Sequence, residues 1–277
     1  MFSSSRRCVR RNSSVRTDSI TSSQNPKFKL LLSLLEKSKT RREEGLFVVE
    51  GRRELEHCLE AGFHARTVFV REDLLPELEP LATRADCPVV LLSPSLYAKA
   101  ACREGTEGIL AEIETRVLCL EDLHLSASPL VVVLESVEKP GNLGAVLRSA
   151  DAATADAVIV CDPLTDLGNP NLIRASLGGV FIVPTVCAGS AETLDWLKSR
   201  GIRILTAQLQ DSSWYYDTDM TGGTALVMGT ESTGLTDIWR RAADAHIRIP
   251  MLGRLDSLNV SVSAAILLFE AVRQRNA

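Results

Sequence analysis

The run LVVVLE at 130–135 carries no polar residue until its last position. A strand apolar on both faces must be covered on both, as happens in a parallel sheet flanked by helices. DAVIVCD (156–162), VFIVPTV (180–186), IRILTAQ (202–208), TALVMG (224–229) and HIRIPM (246–251) read as further strands. Between them lie stretches with helical spacing: one from Asn142, NLIRASLGG (171–179), TLDWLKSRG (193–201) and a last one from about Asn259. Strands alternating with helices predict a parallel-sheet α/β domain of roughly 150 residues.

A smaller α/β module precedes it, up to about Thr115. KFKLLLSLLEKSKTRR, from Lys27, predicts a helix with Leu30, Leu31, Leu34 and Leu35 on one side. Its polar side carries Lys27, Lys29, Lys37, Lys39, Arg41 and Arg42. GLFVVE, ARTVFVRE, CPVVLLS and GILAEIE read as strands, PSLYAKAAC as a helix, and RRELEHCLEAG as a helix closed by Gly62. Residues 1–19 are rich in serine and arginine and predict a disordered tail. That composition also admits a transit peptide or a misplaced start codon. The expected boundaries are a tail at 1–19, a first domain at 20–120 and a second at 126–277, joined through the polar stretch EDLHLSASP at 121–129.

Composition narrows the function classes. A net charge of −4 excludes a chain coated throughout for nucleic acid, but not a local basic patch. The seven cysteines include no C-x-x-C pair, which fits reduced thiols in a cytoplasm better than a disulfide framework or a zinc site. No apolar run is long enough to cross a bilayer, and no secretory signal is read at the start.

Three stretches carry polar groups in places suited to chemistry. In EKPGNLGAVLRSADAA, Pro140-Gly141 forms a turn, Asn142 stands at an N-cap, and Arg148 flanks the stripe Leu143, Val146, Leu147, Ala150. Arg148 is equally readable as a surface arginine three residues from Asp151. Gly141 and Gly144 do not complete G-x-G-x-x-G, so a dinucleotide site is disfavoured. In LVMGTESTGL, a strand runs into Gly229, Thr230 and Glu231, where open α/β sheets bind ligands. An ordinary strand-to-helix turn with an acid at the helix start reads the same way. In IPMLGRLDSLNVSVSAAILLFEAVRQR, Ser257 and Asn259 can simply cap the last helix. That helix is apolar nearly all round, with Val260, Ala264, Leu267 and Leu268 on one side and Val262, Ala265, Ile266 and Phe269 on the other. The second side wants a partner, most simply a second copy of the chain.

Together, in order, NLGAVLRSADA (142–152), LVMGTESTGL (226–235) and the long stretch at 249–274 resemble the three motifs of the SpoU/TrmH class of RNA ribose 2′-O-methyltransferases, in the SPOUT superfamily. NPKFK, RREEGLFVVEGRRELE and TVFV are similar to that family's N-terminal substrate-binding domain. The resemblance implies an α/β sheet with a deep trefoil knot, a homodimer, and S-adenosylmethionine held in the knot. It implies that Gly229, Ile249, Met251 and Leu258 meet the cofactor, with Thr230, Glu231 and Asn259 nearby and Val227, Ile249 and Leu258 flanking adenine. It makes Arg148 the leading catalytic residue, with Asn142, Glu231, Ser257 and Asn259 beside it. It turns Lys27, Lys29, Lys39, Arg41, Arg42, Arg52 and Arg53 into phosphate contacts for RNA, where a solvated helix face is the alternative. Thr230 stands where the family commonly has Asn, and EKPGN replaces D-P-x-N. No basic extension follows the last motif, which favours ribosomal RNA over tRNA. The rival readings are a tRNA enzyme, an antibiotic-resistance methylase and a non-catalytic RNA-binding paralogue.

Overall fold

The computed structural model describes residues 17–102, 107–230 and 233–277. The first module runs β1 (Thr17–Ile20), α1 (Pro26–Glu36), α2 (Ser38–Glu44), β2 (Leu46–Glu50), α3 (Arg52–Glu60), β3 (Ala65–Arg71), α4 (Leu75–Arg84), β4 (Val89–Leu92), α5 (Pro94–Ala100) and β5 (Ile109–Glu114). Its sheet has the order β1-β4-β3-β5-β2, parallel at β1/β4/β3 and antiparallel at β3/β5/β2. β1 takes in Thr17–Ser19, which the composition had assigned to the tail, because its backbone pairs along β4. The rest of that tail, 1–16, lies outside the described residues.

The expected single helix from Lys27 is two. Asn25 caps α1 by accepting from Lys27 N at 2.9 Å, and Pro26 occupies its first turn. The helix stops where Lys37 adopts an extended backbone (φ −115°, ψ 114°), and α2 then ends on left-handed Gly45.

The second module contains β6 (Leu130–Glu135), α6 (Pro140–Ala152), β7 (Ala157–Cys161), α7 (Pro170–Ala175), α8 (Gly179–Ile182), β8 (Thr185–Ala188), α9 (Ser190–Ser199), β9 (Arg203–Ala207), β10 (Ser213–Trp214), β11 (Thr224–Met228), α10 (Asp237–Ala242), β12 (Ala245–Arg248) and α11 (Val260–Arg275). The strand order is β10-β12-β9-β11-β6-β7-β8, and every pairing is parallel. Both faces are covered, as the apolar runs require. Val132, Leu134, Leu226 and Met228 face the core shared with α6 and α11, whereas Val131, Val133 and Val227 face α9 and α10. VFIVPTV is not one strand: left-handed Gly178 starts the short helix α8 over its first half, and only Thr185 onward joins the sheet.

The modules share a continuous core. Phe181 of α8 stacks on Phe47 of β2, with ring centroids 5.9 Å apart, and meets Phe63 edge-on at 5.3 Å. The stretch read as a polar linker is also anchored: Leu123 is buried beneath the second sheet, as is Leu120 just before it.

Candidate active site

The C-terminal ends of β9, β11 and β12 open into a cavity of about 350 Å³. Three loops contribute to its wall: Gln208–Gln210 after β9, Gly229, Thr230 and Thr233–Leu235 after β11, and Ile249, Met251 and Asp256–Leu258 before α11. The middle turn folds back tightly. Thr230 O accepts from Gly234 N at 3.0 Å, and Thr230 Oγ1 accepts from Thr233 N at 3.1 Å. A side chain at Gly229 would collide with the Gly234 carbonyl, so only glycine lets the turn close and leaves backbone exposed to a ligand.

The far end of this turn is fixed from below. Glu135, buried at the end of β6, accepts from Thr236 N at 2.8 Å and from Thr236 Oγ1 at 2.6 Å. Ser190 Oγ lies 3.1 Å from Glu135 Oε1 and accepts from Trp239 Nε1 at 3.2 Å. A buried carboxylate is costly unless its oxygens are satisfied, and here donors surround it. An acid closing an apolar strand was the sequence signal for this residue, which motif reading passed over.

The residues singled out from the sequence fall into groups. Gly229, Thr230, Ile249, Met251, Ser257 and Leu258 line the cavity. Val227 does not: the period of two along β11 sends its side chain to the opposite face, and Met228 lines the cavity instead. Asn259 caps α11 by accepting from Ser261 N at 3.0 Å, and its Nδ2 donates to Asn142 Oδ1 at 3.0 Å. That contact joins stretches 117 residues apart at the rim of the cavity. Arg148 is exposed on α6, outside the cavity wall. Glu231 lies outside the described residues. Gln208, Arg240, Arg248 and Asp256 also line the cavity; Gln208 ends a strand, but nothing in the sequence pointed to Arg240.

The basic set is split as well. Lys29 and Arg42 are exposed, whereas Lys27 pairs with Asp18 at 3.0 Å and Lys39 with Glu43 at 3.7 Å. Arg53 pairs with Glu54, and Arg52, half-buried, pairs with Glu77 at 3.1 Å. Arg41 is not a surface cation: it is 6% exposed and forked onto Asp166, so it is unavailable to phosphate.

The remaining chemistry is quiet. Burial pushes the Cys58 and Cys161 thiols up to about 12, which removes both as nucleophiles near neutral pH. Among the described residues, no cluster of His, Cys, Asp and Glu could hold a metal ion, and no helix is long and apolar enough to cross a membrane.

A family profile described as the SpoU rRNA methylase family matches residues 129–269, and one described as an MRM3-like substrate-binding domain matches 25–111. The chain is 30% identical over 262 residues to a 23S rRNA (uridine(2479)-2′-O)-methyltransferase of Streptomyces viridochromogenes, covering 91% of each. It is 29% identical to a 23S rRNA (guanosine(2553)-2′-O)-methyltransferase of Bacillus subtilis, covering 90% of this chain and 97% of that one. Among solved structures, an AdoMet-bound rRNA methyltransferase from Sinorhizobium meliloti superposes with a TM-score of 0.85 at 29% identity, over 93% of this chain and 98% of that one.

Proposed function

The chain belongs to the SpoU rRNA methylase family, and from that premise we propose that it is an S-adenosylmethionine-dependent enzyme that methylates a ribose 2′-oxygen of ribosomal RNA. One observation carries the reading. Two stretches far apart in sequence, at 226–235 and 249–274, line one cavity at the C-terminal edge of a parallel sheet, and the third, at 142–152, is joined to them through Asn142 and Asn259.

The cavity fits the cofactor. Its size is that of a small-molecule site. Met228, Ile249, Met251 and Leu258 give an apolar wall suited to a purine, and the glycine turn gives backbone groups within reach of hydroxyls. Arg240 and Arg248 supply cations for a carboxylate. When bound, S-adenosylmethionine supplies a methyl group already activated on a sulfonium, so the protein's task is mainly to position the acceptor. The fold of this family is expected to thread its C-terminal part as a trefoil knot.

The acceptor oxygen must lose a proton and gather negative charge. Arg148 cannot be the base, because guanidinium stays protonated in proteins. Its exposed place outside the cavity suits it to the nucleotide instead: it binds the adjacent phosphate and stabilises the developing alkoxide. The proton goes to phosphate or water. Asn142 and Asn259, held together at 3.0 Å, orient the ribose together with Ser257; the family resemblance gives Glu231 the same task. The first module supplies RNA contacts through Lys29, Arg42 and the outer rim of paired lysines. The open side of α11 bearing Val262 and Phe269 supports a homodimer, and scattered cysteines with no C-x-x-C pair support a cytoplasmic setting.

Alkaline hydrolysis of labelled product tests the chemistry. A methylated 2′-oxygen cannot attack its neighbouring phosphodiester, so ribose methylation leaves the label in alkali-resistant dinucleotides. Label released in mononucleotides would mean base methylation and would overturn the reading.

A further inference from the structure

Buried Arg41 and partly exposed Asp166 form a pair that joins the two modules at one point with a fixed geometry. Arg41 Nε and Nη2 donate to Asp166 Oδ1 and Oδ2 at 2.9 and 2.7 Å, and Nη1 donates to Leu34 O at 2.7 Å. The guanidinium therefore also ties the end of α1 to α2, the corner that presents Lys29 and Arg42. On the other side, Asp166 O accepts from Asn169 N at 3.1 Å, and Asn169 caps α7 through Asn171 N at 2.9 Å. α7 in turn lies against α6, so close that a Cβ on Gly144 would stand 2.6 Å from Ala175 Cβ. α6 carries Arg148. An unbroken series of short contacts thus runs from the basic corner to the candidate catalytic arginine, with no flexible linker in it.

Elsewhere the seam holds aromatic contacts such as Phe47–Phe181 and a single-point contact of His57 Nδ1 with Leu177 O at 3.3 Å, neither of which defines an orientation as narrowly as a fork. In a fork of two parallel hydrogen bonds, both oxygens must face both nitrogens in one plane. A partly buried ion pair adds little net stability over apolar packing, which leaves specificity of arrangement as the role for this one.

We propose that Arg41 and Asp166 are positioning residues, which fix the RNA-binding module in register with Arg148 and so decide which ribose reaches the methyl donor. This rests on the RNA methyltransferase reading above. Misplacing the acceptor by about 1 Å is enough to cost orders of magnitude in rate.

The test uses the full chain with Asp166→Asn, which keeps the shape but loses the charge, and Arg41→Lys, which keeps the charge but loses the fork. Cofactor affinity, RNA affinity, single-turnover rate at saturating RNA, and the methylated nucleotide are measured on folded protein. We expect both affinities to be retained, the single-turnover rate to fall about tenfold or more, and part of the label to move to a neighbouring nucleotide. Asp166→Glu, which keeps a carboxylate, is expected to recover more rate than Asp166→Asn. Wild-type rate and wild-type target in both variants would overturn the proposal. So would a loss of cofactor affinity in step with the rate, which is the mark of a merely structural role. A wild-type protein that methylates no RNA overturns the function beneath it; active wild type with unaffected variants overturns the positioning role alone.

Discussion

Arg148 and Glu112 place charge in opposite surroundings, and each yields a prediction at its own position. Arg148 is exposed on α6 and outside the cofactor cavity, so its loss should act on the nucleotide and not on the cofactor. Arg148→Ala is expected to lower turnover by about 10²–10³-fold, the cost of losing one donor to a developing oxyanion, with cofactor affinity by calorimetry unchanged. A near-wild-type turnover would remove Arg148 from the mechanism. Glu112, on β5, is buried, and burial raises its pKa to about 7 against the opposing hydrogen bond of Thr67 and the charges of Arg66 and Lys27. The folded protein therefore keeps a proton that the unfolded chain releases near 4.5, so stability falls as pH rises from about 4.5 to about 7 and is level above that. Glu112→Gln is expected to abolish that fall and to raise Tm at pH 8 more than at pH 5. An equal change in Tm at both pH values would contradict the assignment.

At the scale of elements, α6 depends on a helix packed almost backbone to backbone against it. A Cβ at Gly144 would stand 2.6 Å from Ala175 Cβ and 2.8 Å from its carbonyl carbon, and the backbone has little room to yield. Gly144→Ala is expected to cost about 1–3 kcal/mol, the usual range for overpacking, read as a lower urea midpoint. It should also lower turnover, because α6 carries Asn142 and Arg148. What the sequence made legible here was period and punctuation. The stripe Leu143, Val146, Leu147, Ala150 is buried as its spacing required, and the two sides of α11 divide into the buried and open sets that its pattern suggested. What stayed illegible depended on contacts brought from far away. Arg41 lay in a basic run with nothing nearby to say that Asp166, 125 residues on, would bury it. Val227 and Met228 were adjacent apolar letters, and only the placement of α11 over one face decides which meets the cavity. VFI, strand-like by composition, became a helix because Gly178 adopts φ +80° before it.

At the scale of the whole molecule, the largest unexplained feature is apolar surface. Leu252 is 95% exposed and Leu255 76%, on the loop that walls the cavity, and Val262 and Phe269 project from α11. Exposed apolar groups spaced along one helix, as on α11, mark an interaction surface, and a second copy of the chain is the simplest occupant. Phe269→Asp is therefore expected to shift the sedimenting species from twice the 30.2 kDa chain mass to the chain mass itself. A wild-type protein already monomeric at micromolar concentration would contradict the homodimer. The shared core around Phe47, Phe63 and Phe181 packs the two modules together, and the fork of Arg41 on Asp166 is the contact between them with the most exacting geometry. The most direct test is transfer of tritiated methyl from S-adenosylmethionine to separate pools of unmodified ribosomal RNA and tRNA, with Arg148→Ala alongside. The account predicts label in ribosomal RNA, absent from tRNA and nearly abolished by Arg148→Ala. Label in tRNA alone, or label in ribosomal RNA indifferent to Arg148→Ala, would contradict it.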